Sequence, residues 1–325
     1  MNALLLPLAV LLDGLVGDPP FGGHPVRLIG RFAAFVENAL YPRAQSRFSC
    51  ALGGTVGGAV GWSIVVGVAA AVSMGAIALS KRVHPLFGAF VEVVAVYTAI
   101  APRDLAKHAR RVQRDLENED LPMAREHVGW IVGRDTEGLD STEVSRAAVE
   151  TVAESTVDGV TAPLFWALLF GGVGAIVYRA VNTLDSMWGH RDERYARFGT
   201  VAARADDVLN YVPARLTLVV IALAAWLLRF DGVSALRVGV RQSSRHASPN
   251  SGWSEAAFAG ALRVTLGGTN RYDGVAHEGP TFGIVSHRAD TKTIGRAIAL
   301  MWATTLLFAA LGALFLWSMG RVNQI

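Results

Sequence analysis

One cysteine, Cys50, occurs in 325 residues, which excludes an intrachain disulfide and any cysteine-rich zinc site. Charge is also scarce. Asp, Glu, Lys and Arg make up 18% of the chain, against about 25% in a soluble domain. There is no G-x-x-x-x-G-K-S/T phosphate loop, no G-x-G-x-x-G opening a helix, no H-E-x-x-H pair and no G-x-S-x-G elbow. The common nucleotide folds, helical zinc proteases and serine hydrolases are thereby set aside. Repeats of 20–50 residues and low-complexity tracts are missing too. A net charge of +3 and a pI near 9.2 look basic, yet no basic patch is interleaved with stacking aromatics, so nucleic acid is not an expected partner. Lys and Arg in cytoplasmic loops, facing anionic headgroups, account for the excess.

What the chain has is apolar length. Hydrophobic residues make up 52% and the mean hydropathy is +0.35. The stretch 51–80 is free of charge, longer than the roughly 20 residues that span a bilayer, and 297–319 is a second such stretch. Further apolar segments lie at 86–101 (with Glu92), 160–178 (interrupted by Gly171, Gly172 and Gly174), 212–228 (with Arg215) and 4–16 (with Asp13). No basic residue precedes the last, which reads as a retained helix rather than a cleaved signal peptide. The fold class expected is all-α: one polytopic membrane domain over 1–325, with spans near 3–17, 53–79, 85–101, 160–178, 212–228 and 297–319. Polar segments at 18–50, 103–159, 181–211 and 230–296 separate them. Six spans place 181–211 across the membrane from the other polar segments; a re-entrant hairpin at 160–178, with four true spans, keeps all of them cytoplasmic.

The polar segments carry side chains that are costly to desolvate. Arg146, Glu150, Glu154 and Asp158 recur every four residues before Pro163 and share one helical face. Arg146 with Glu150 reads as an ion pair. Glu154 and Asp158 have no basic residue at helical spacing beyond them, which suggests a hard divalent cation such as Mg²⁺, with helix capping as the plainer role for Asp158. Asn182, Asp185 and Gly189 share a second face, and Asp206 with Asn210 makes an i, i+4 pair beside Asp207. Amides there either position a phosphate or simply join helices. Arg215 follows Pro213 and suits a phosphate or carboxylate clamp.

Asp18-Pro19-Pro20 and Gly23-His24-Pro25-Val26-Arg27 predict a rigid turn presenting an imidazole and a guanidinium. Leu105, Val112 and Leu116 predict an amphipathic helix lying on a membrane or protein surface. Ser141 or Thr142 is the expected N-cap of a helix running to about Val157, and Ser254 that of a small-residue helix, Ala256 to Leu262. Gly267-Gly268 then allows backbone to approach a ligand.

These blocks resemble the CobD/CbiB family, the adenosylcobinamide-phosphate synthases of cobalamin biosynthesis. The resemblance is carried by Leu11-Leu12-Asp13 through Gly17-Asp18-Pro19, His24-Pro25-Val26-Arg27, Gly133-Arg134-Asp135-Thr136, Ala148 to Glu154, Asp158-Gly159-Val160 and Ala162 to Phe165. Ala180 to Met187, Asp206-Asp207, Pro213-Ala214-Arg215, and Ser248-Pro249-Asn250 with Gly252-Trp253 and Glu255 complete it. Ser155 departs from the family's usual Asn. The resemblance implies ATP- and Mg²⁺-dependent amide formation between a corrinoid, adenosylcobyric acid, and aminopropanol O-phosphate or a related amino alcohol phosphate, through an acyl phosphate. It implies Glu154, Asp158 and Asp185 as Mg²⁺ ligands, and Asp158, Asp185, Asp207 and His24 as catalytic groups. Arg27, Asn182, Arg215, Asn210, Asn250 and Glu255 become candidate substrate- and phosphate-binding residues, and Trp188, Trp253 and Tyr211 the apolar walls for the corrinoid. The implied setting is the cytoplasmic membrane, with the lipid bilayer and other corrinoid-pathway membrane enzymes as partners. A transporter or channel for a charged metabolite, with Glu92 in its path, and a non-catalytic sensor or scaffold are the alternatives.

Overall fold

The computed structural model describes residues 3–18, 22–41, 49–190, 194–283 and 287–322. Pro19 and Pro20 of the expected turn fall outside them. The chain, read in sequence as one domain, divides into two compact units: 1–100, 162–210 and 309–325 form the first, 101–161 and 211–308 the second. Among the described residues five helical stretches, Gly54–Val83, Pro85–Glu117, Ser141–Trp188, Thr200–Leu227 and Thr291–Met319, are long and apolar enough to cross a membrane. The protein is a multi-pass membrane protein.

The first unit contains α1 (Leu5–Val16), α2 (Pro25–Leu40), α3 (Ser49–Val83), α4 (Pro85–Ala99), α8 (Ala162–Trp188) and α9 (Tyr195–Phe198). It also takes the start of α10 (Thr200–Leu227) and the end of α13 (Thr291–Val322). In α3, Val56, Val60, Ile64, Val68 and Val72 are exposed at four-residue spacing, while Val65, Ala69 and Ile77 are buried. Only 22% of its most apolar window is covered by protein, against 61% for Ser141–Trp188. A stripe of bare valine and isoleucine is stable only against lipid. Glu92 of α4 pairs with Lys81 of α3 at 3.1 Å, which neutralises the carboxylate that a transport path through Glu92 needs.

The expected span at 160–178 is not a straight helix. Gly171 adopts φ 65°, ψ −154°, a region that glycine alone occupies without strain. Residues 166 and 174 of a continuous helix would lie about 12 Å apart along the axis, yet a Cβ on Gly174 would overlap the Trp166 carbonyl. The chain reverses at Gly171. Its apolar arms, 162–170 and 172–188, rise about 13 and 25 Å at 1.5 Å per residue, both short of the roughly 30 Å hydrocarbon core, so Ser141–Trp188 meets the requirement of length and composition without being one straight span. Trp166 Nε1 donates to the Leu209 carbonyl at 3.1 Å. Pro213, four residues on in α10, has no N–H for that carbonyl, so the indole supplies the missing donor.

The second unit packs α5 (Pro102–Glu117), α6 (Leu121–Gly129) and α7 (Ser141–Thr156) with α11 (Gly232–Gln242), α12 (Ser251–Leu262) and the rest of α10 and α13. Among the described residues four short strands, β1 (Leu266–Gly267), β2 (Asn270–Tyr272), β3 (Val275–His277) and β4 (Thr281–Phe282), pair as β1–β4 and β2–β3. Its core is rich in alanine: Ala147, Ala148, Ala153, Ala256, Ala257 and Ala259 are wholly buried, and small side chains let these helices approach closely. The amphipathic face of α5 packs into that core through Ala106, Ala109 and Val112.

Caps differ from expectation. Asp140, not Ser141 or Thr142, accepts from the Glu143 N–H at 2.8 Å. The helix expected to start after Ser254 starts at Ser251, with Asn250 in the N-cap position. A turn of π-helix, Val157–Thr161, follows α7 and ends the four-residue register of Arg146, Glu150 and Glu154 before it reaches Asp158.

Candidate functional site

The second unit encloses a cavity of about 440 Å³, bordered by Arg134, Glu150, Glu154, His246, Glu255 and Asn270. Its floor is one face of α7, where i, i+4 spacing stacks Arg146, Glu150 and Glu154. Arg146 is saturated. It donates to Glu143 at 2.5 Å, Glu150 at 2.8 Å, the Gly267 carbonyl at 2.8 Å and Asn270 Oδ1 at 3.0 Å. Glu150 also accepts from the Gly267 N–H at 2.6 Å. A Cβ on Gly267 would overlap the Pro280 carbonyl, and its φ of 79° is a glycine conformation, so the Gly-Gly segment closes directly onto the strand opposite.

Arg134 enters from the loop before α7. Its Nη1 donates to Glu150 at 2.8 Å and to Asn270 Oδ1 at 2.5 Å. Its Nε and Nη2 are buried without a hydrogen-bond partner among the described residues. Asp135, next in sequence, accepts from the Asp273 and Gly274 N–H groups at 3.2 and 2.7 Å and so clamps the β2–β3 turn.

Glu255 lies near the start of α12 and is buried. Loss of hydration pushes its pKa well above the usual carboxylate range, and repulsion from Glu154 and Glu150 adds to this against the pull of Arg134 and Arg146. His246 Nε2 lies 3.5 Å from Glu255 Oε1. Its Nδ1 accepts from the Ser248 N–H at 2.9 Å, which assigns the proton of the neutral ring to Nε2, facing Glu255. Glu154 is exposed and accepts from Ser251 Oγ at 3.1 Å.

Of the residues singled out in the sequence, Glu154 and Glu255 border this cavity. Arg215 and Asn250 meet in the same unit at 3.4 Å, with the guanidinium over the rings of Tyr211 and Trp253. Asp158 lies half-buried on the π turn.

The others belong to the first unit. Tyr178 donates to Asn210 at 2.8 Å, Asn210 to Asp206 at 2.9 Å, Asn182 to Asp206 at 3.2 Å and Arg179 to Asn182 at 3.2 Å. This chain of bonds braces α8 against α10, the interhelical role that Asn often takes in membranes. Asp185 and Asp207 are half-buried on the same helices. His24 is not a solvated loop residue; it is buried at the N-cap of α2, 3.3 Å from Asp18, which also faces Arg27 at 3.7 Å. Burial lowers its pKa, Asp18 opposes the shift, and Arg27 and Arg179 reinforce it. Trp188 is core rather than cavity wall: it is fully buried and donates to Glu37 at 3.1 Å.

The expected Mg²⁺ ligands divide between the units, Glu154 and Asp158 in the second and Asp185 in the first. Among the described residues no three His, Cys, Asp or Glu side chains converge as a ready-made metal cluster. The sequence reading did not place Arg134, His246 or Asn270 in the site. Arg134 comes from a loop and Asn270 from the three-residue strand β2, both too short for periodicity to mark, and only the adjoining Gly-Gly signalled a close approach.

The model of the CobD/Cbib protein family matches residues 6–301. The chain is 46% identical, over 96% of both proteins, to the "Cobalamin biosynthesis protein CobD" of Citrobacter koseri and to the "Cobalamin biosynthesis protein CbiB" of Salmonella typhimurium. It is 45% identical over the same shares to the "Cobalamin biosynthesis protein CobD" of Klebsiella pneumoniae. No solved structure matches it. With a family match across nearly its whole length and the family's polar blocks gathered in two helical units, the chain belongs to the CobD/CbiB family.

Proposed function

We propose that the protein is an adenosylcobinamide-phosphate synthase of cobalamin biosynthesis, set in the cytoplasmic membrane. It joins the carboxyl group of adenosylcobyric acid to the amine of aminopropanol O-phosphate, or of a related amino alcohol phosphate, at the expense of ATP. The observation that carries the pathway is 46% identity over 96% of proteins named for cobalamin biosynthesis. The cavity of the second unit, lined by the carboxylates of Glu150, Glu154 and Glu255 and the guanidinium of Arg134, is the chemistry that fits an amide ligase.

Amide formation requires an activated carboxyl. The γ-phosphoryl group of ATP passes to the corrinoid carboxylate, the amine attacks the acyl carbon, phosphate leaves, and the amine gives up a proton. We assign that proton to Glu255: its raised pKa holds it nearer the operating range than an ordinary carboxylate, and the Nε2–H of His246 orients it. Mg²⁺ needs only one or two protein carboxylates when nucleotide phosphates and water complete its shell. Asp158 of the same unit suits that role, and an ion held there would neutralise phosphate charge. Arg215, whose guanidinium lies over the rings of Tyr211 and Trp253, serves as a cation for phosphate. In the first unit, the sequence nominates Arg27 for phosphate, Asp185 for Mg²⁺, and His24 and Asp207 as the second candidates for proton transfer.

The test is turnover by detergent-purified protein given adenosylcobyric acid, aminopropanol phosphate, ATP and Mg²⁺, with corrinoid product and released phosphate followed together. Equal amounts of both, abolished by omitting ATP or Mg²⁺, is the expected result. Folded, corrinoid-binding protein that consumes no ATP and forms no amide would overturn it in favour of a carrier or scaffold.

A further inference from the structure

We infer that Arg134 anchors an oxyanion subsite in the cavity of the second unit, and that this cavity takes a small zwitterion. The oxyanion lies on the guanidinium and the ammonium group faces Glu154 and Glu255. The inference rests on the cavity being the reaction site, and it goes further by saying which substrate end binds where.

Arg134, which lines the cavity, and Arg146, which shares Glu150 and Asn270 with it, differ in one respect. Every side of Arg146 is occupied, by Glu143, Glu150, Asn270 and the Gly267 and Thr269 carbonyls. Arg134 is pinned through Nη1 alone, by Glu150 and Asn270, and its side chain is only 7% exposed. The Nε and Nη2 atoms have no partner among the described residues. Those two atoms form the edge of the fork that binds phosphate or carboxylate through two parallel hydrogen bonds. Buried donors are almost always satisfied, so a pre-pinned guanidinium with this edge unused points to a ligand oxyanion as its partner. Glu150 holds the guanidinium in place and is a positioning residue.

The rest of the cavity fixes the other end. Glu154 and Glu255 border it, and among the described residues neither has an arginine within ion-pair distance; the imidazole of His246 lies 3.5 Å from Glu255. A simple dianion would be repelled there, whereas a molecule with an ammonium group a few bonds from its phosphate or carboxylate is attracted at both ends. About 440 Å³ is ample for such a molecule.

The experiment is calorimetric titration of full-length protein in detergent with O-phosphoethanolamine, ethanolamine, inorganic phosphate and β-alanine, without ATP. O-phosphoethanolamine or β-alanine is expected to bind more tightly than either half-ligand; the first identifies a phosphate ester as the oxyanion, the second a carboxylate. Arg134→Lys, which keeps the charge and loses the fork, should weaken that binding about tenfold or more, the worth of a charge-assisted bond. Glu150→Gln loosens the guanidinium that Glu150 positions, so it should weaken binding of the zwitterion while leaving that of ethanolamine, which has no oxyanion, unchanged. It is the deciding variant if Arg134→Lys fails to fold, because a merely structural Arg134 predicts no such selective loss. Unchanged affinity in Arg134→Lys, or zwitterion and ethanolamine affinities that move together in Glu150→Gln, would overturn the subsite. Binding without amide formation would leave the subsite standing and remove the ligase. Turnover with unaltered KM in Arg134→Lys would do the reverse.

Discussion

Each unit buries a cluster of polar side chains drawn from the same few residue types, and the two clusters end differently. In the first, Arg179, Asn182, Asp206, Asn210 and Tyr178 bond to one another in a line across α8 and α10. In the second, Arg134, Glu150, Glu154 and Glu255 surround a cavity, with a guanidinium edge left over and a carboxyl group shifted toward its neutral form. Membrane burial alone does not mark a residue as functional. A line of bonds from one helix to the next is a brace, and a cluster with donors and proton sites facing a cavity is where a reaction can be held.

The comparison breaks if substitutions in the two clusters behave alike. Glu255→Gln, which cannot take a proton, should lower kcat by about a hundredfold or more while the heat-unfolding midpoint in detergent stays close to that of the parent; a kcat within threefold of the parent would remove Glu255 from the chemistry. Gly171→Ala should destabilise the first unit by about 1–3 kcal/mol, since alanine is strained at φ 65°. An unchanged thermal midpoint would mean that the reversal tolerates a side chain. Asn210→Ala should cost about 1–2 kcal/mol by leaving the Tyr178 hydroxyl and Asp206 with one partner fewer, read again as unfolding.

Smallest are the pH effects, and the units should differ in sign. The folded pKa of Glu255 is raised, so the native state holds its proton more tightly than the unfolded chain. Its contribution is full below the ordinary carboxylate pKa and is lost as pH rises through the raised value. The folded pKa of His24 is lowered, so its contribution is present above the ordinary imidazole pKa of 6.5 and is lost as pH falls through the folded value. Glu255→Gln and His24→Gln should each flatten one limb of stability against pH. If each variant flattened the limb assigned to the other, both assignments would fail.

Much of this was legible beforehand because it depends on spacing. Uncharged runs gave the long helices, Gly171-Gly172 marked the break, and i, i+4 spacing joined Arg146 to Glu150 and Asp206 to Asn210. What depends on contacts distant in sequence was not. Nothing in the spacing says that Tyr178 rather than a ligand satisfies Asn210, or that Arg134 meets Asn270 from 136 residues away. Nor does it announce the π turn that takes Asp158 off the face it shares in a regular helix. Trp188 looked like a cavity wall because tryptophans often are; a bond to Glu37 from 151 residues away made it core.

The reversal at Gly171 also bears on how the protein is made. An arm rising about 13 Å cannot be handed to the bilayer as a span of its own. The indole of Trp166 has no use for the Leu209 carbonyl until α10 has been synthesised. Insertion is therefore expected to be out of order: α3 and α4 settle first, and the hairpin waits at the surface until its later neighbour arrives. Chains stalled near residue 190 should leave a cysteine at position 168 open to a water-soluble maleimide, and chains released past residue 230 should protect it.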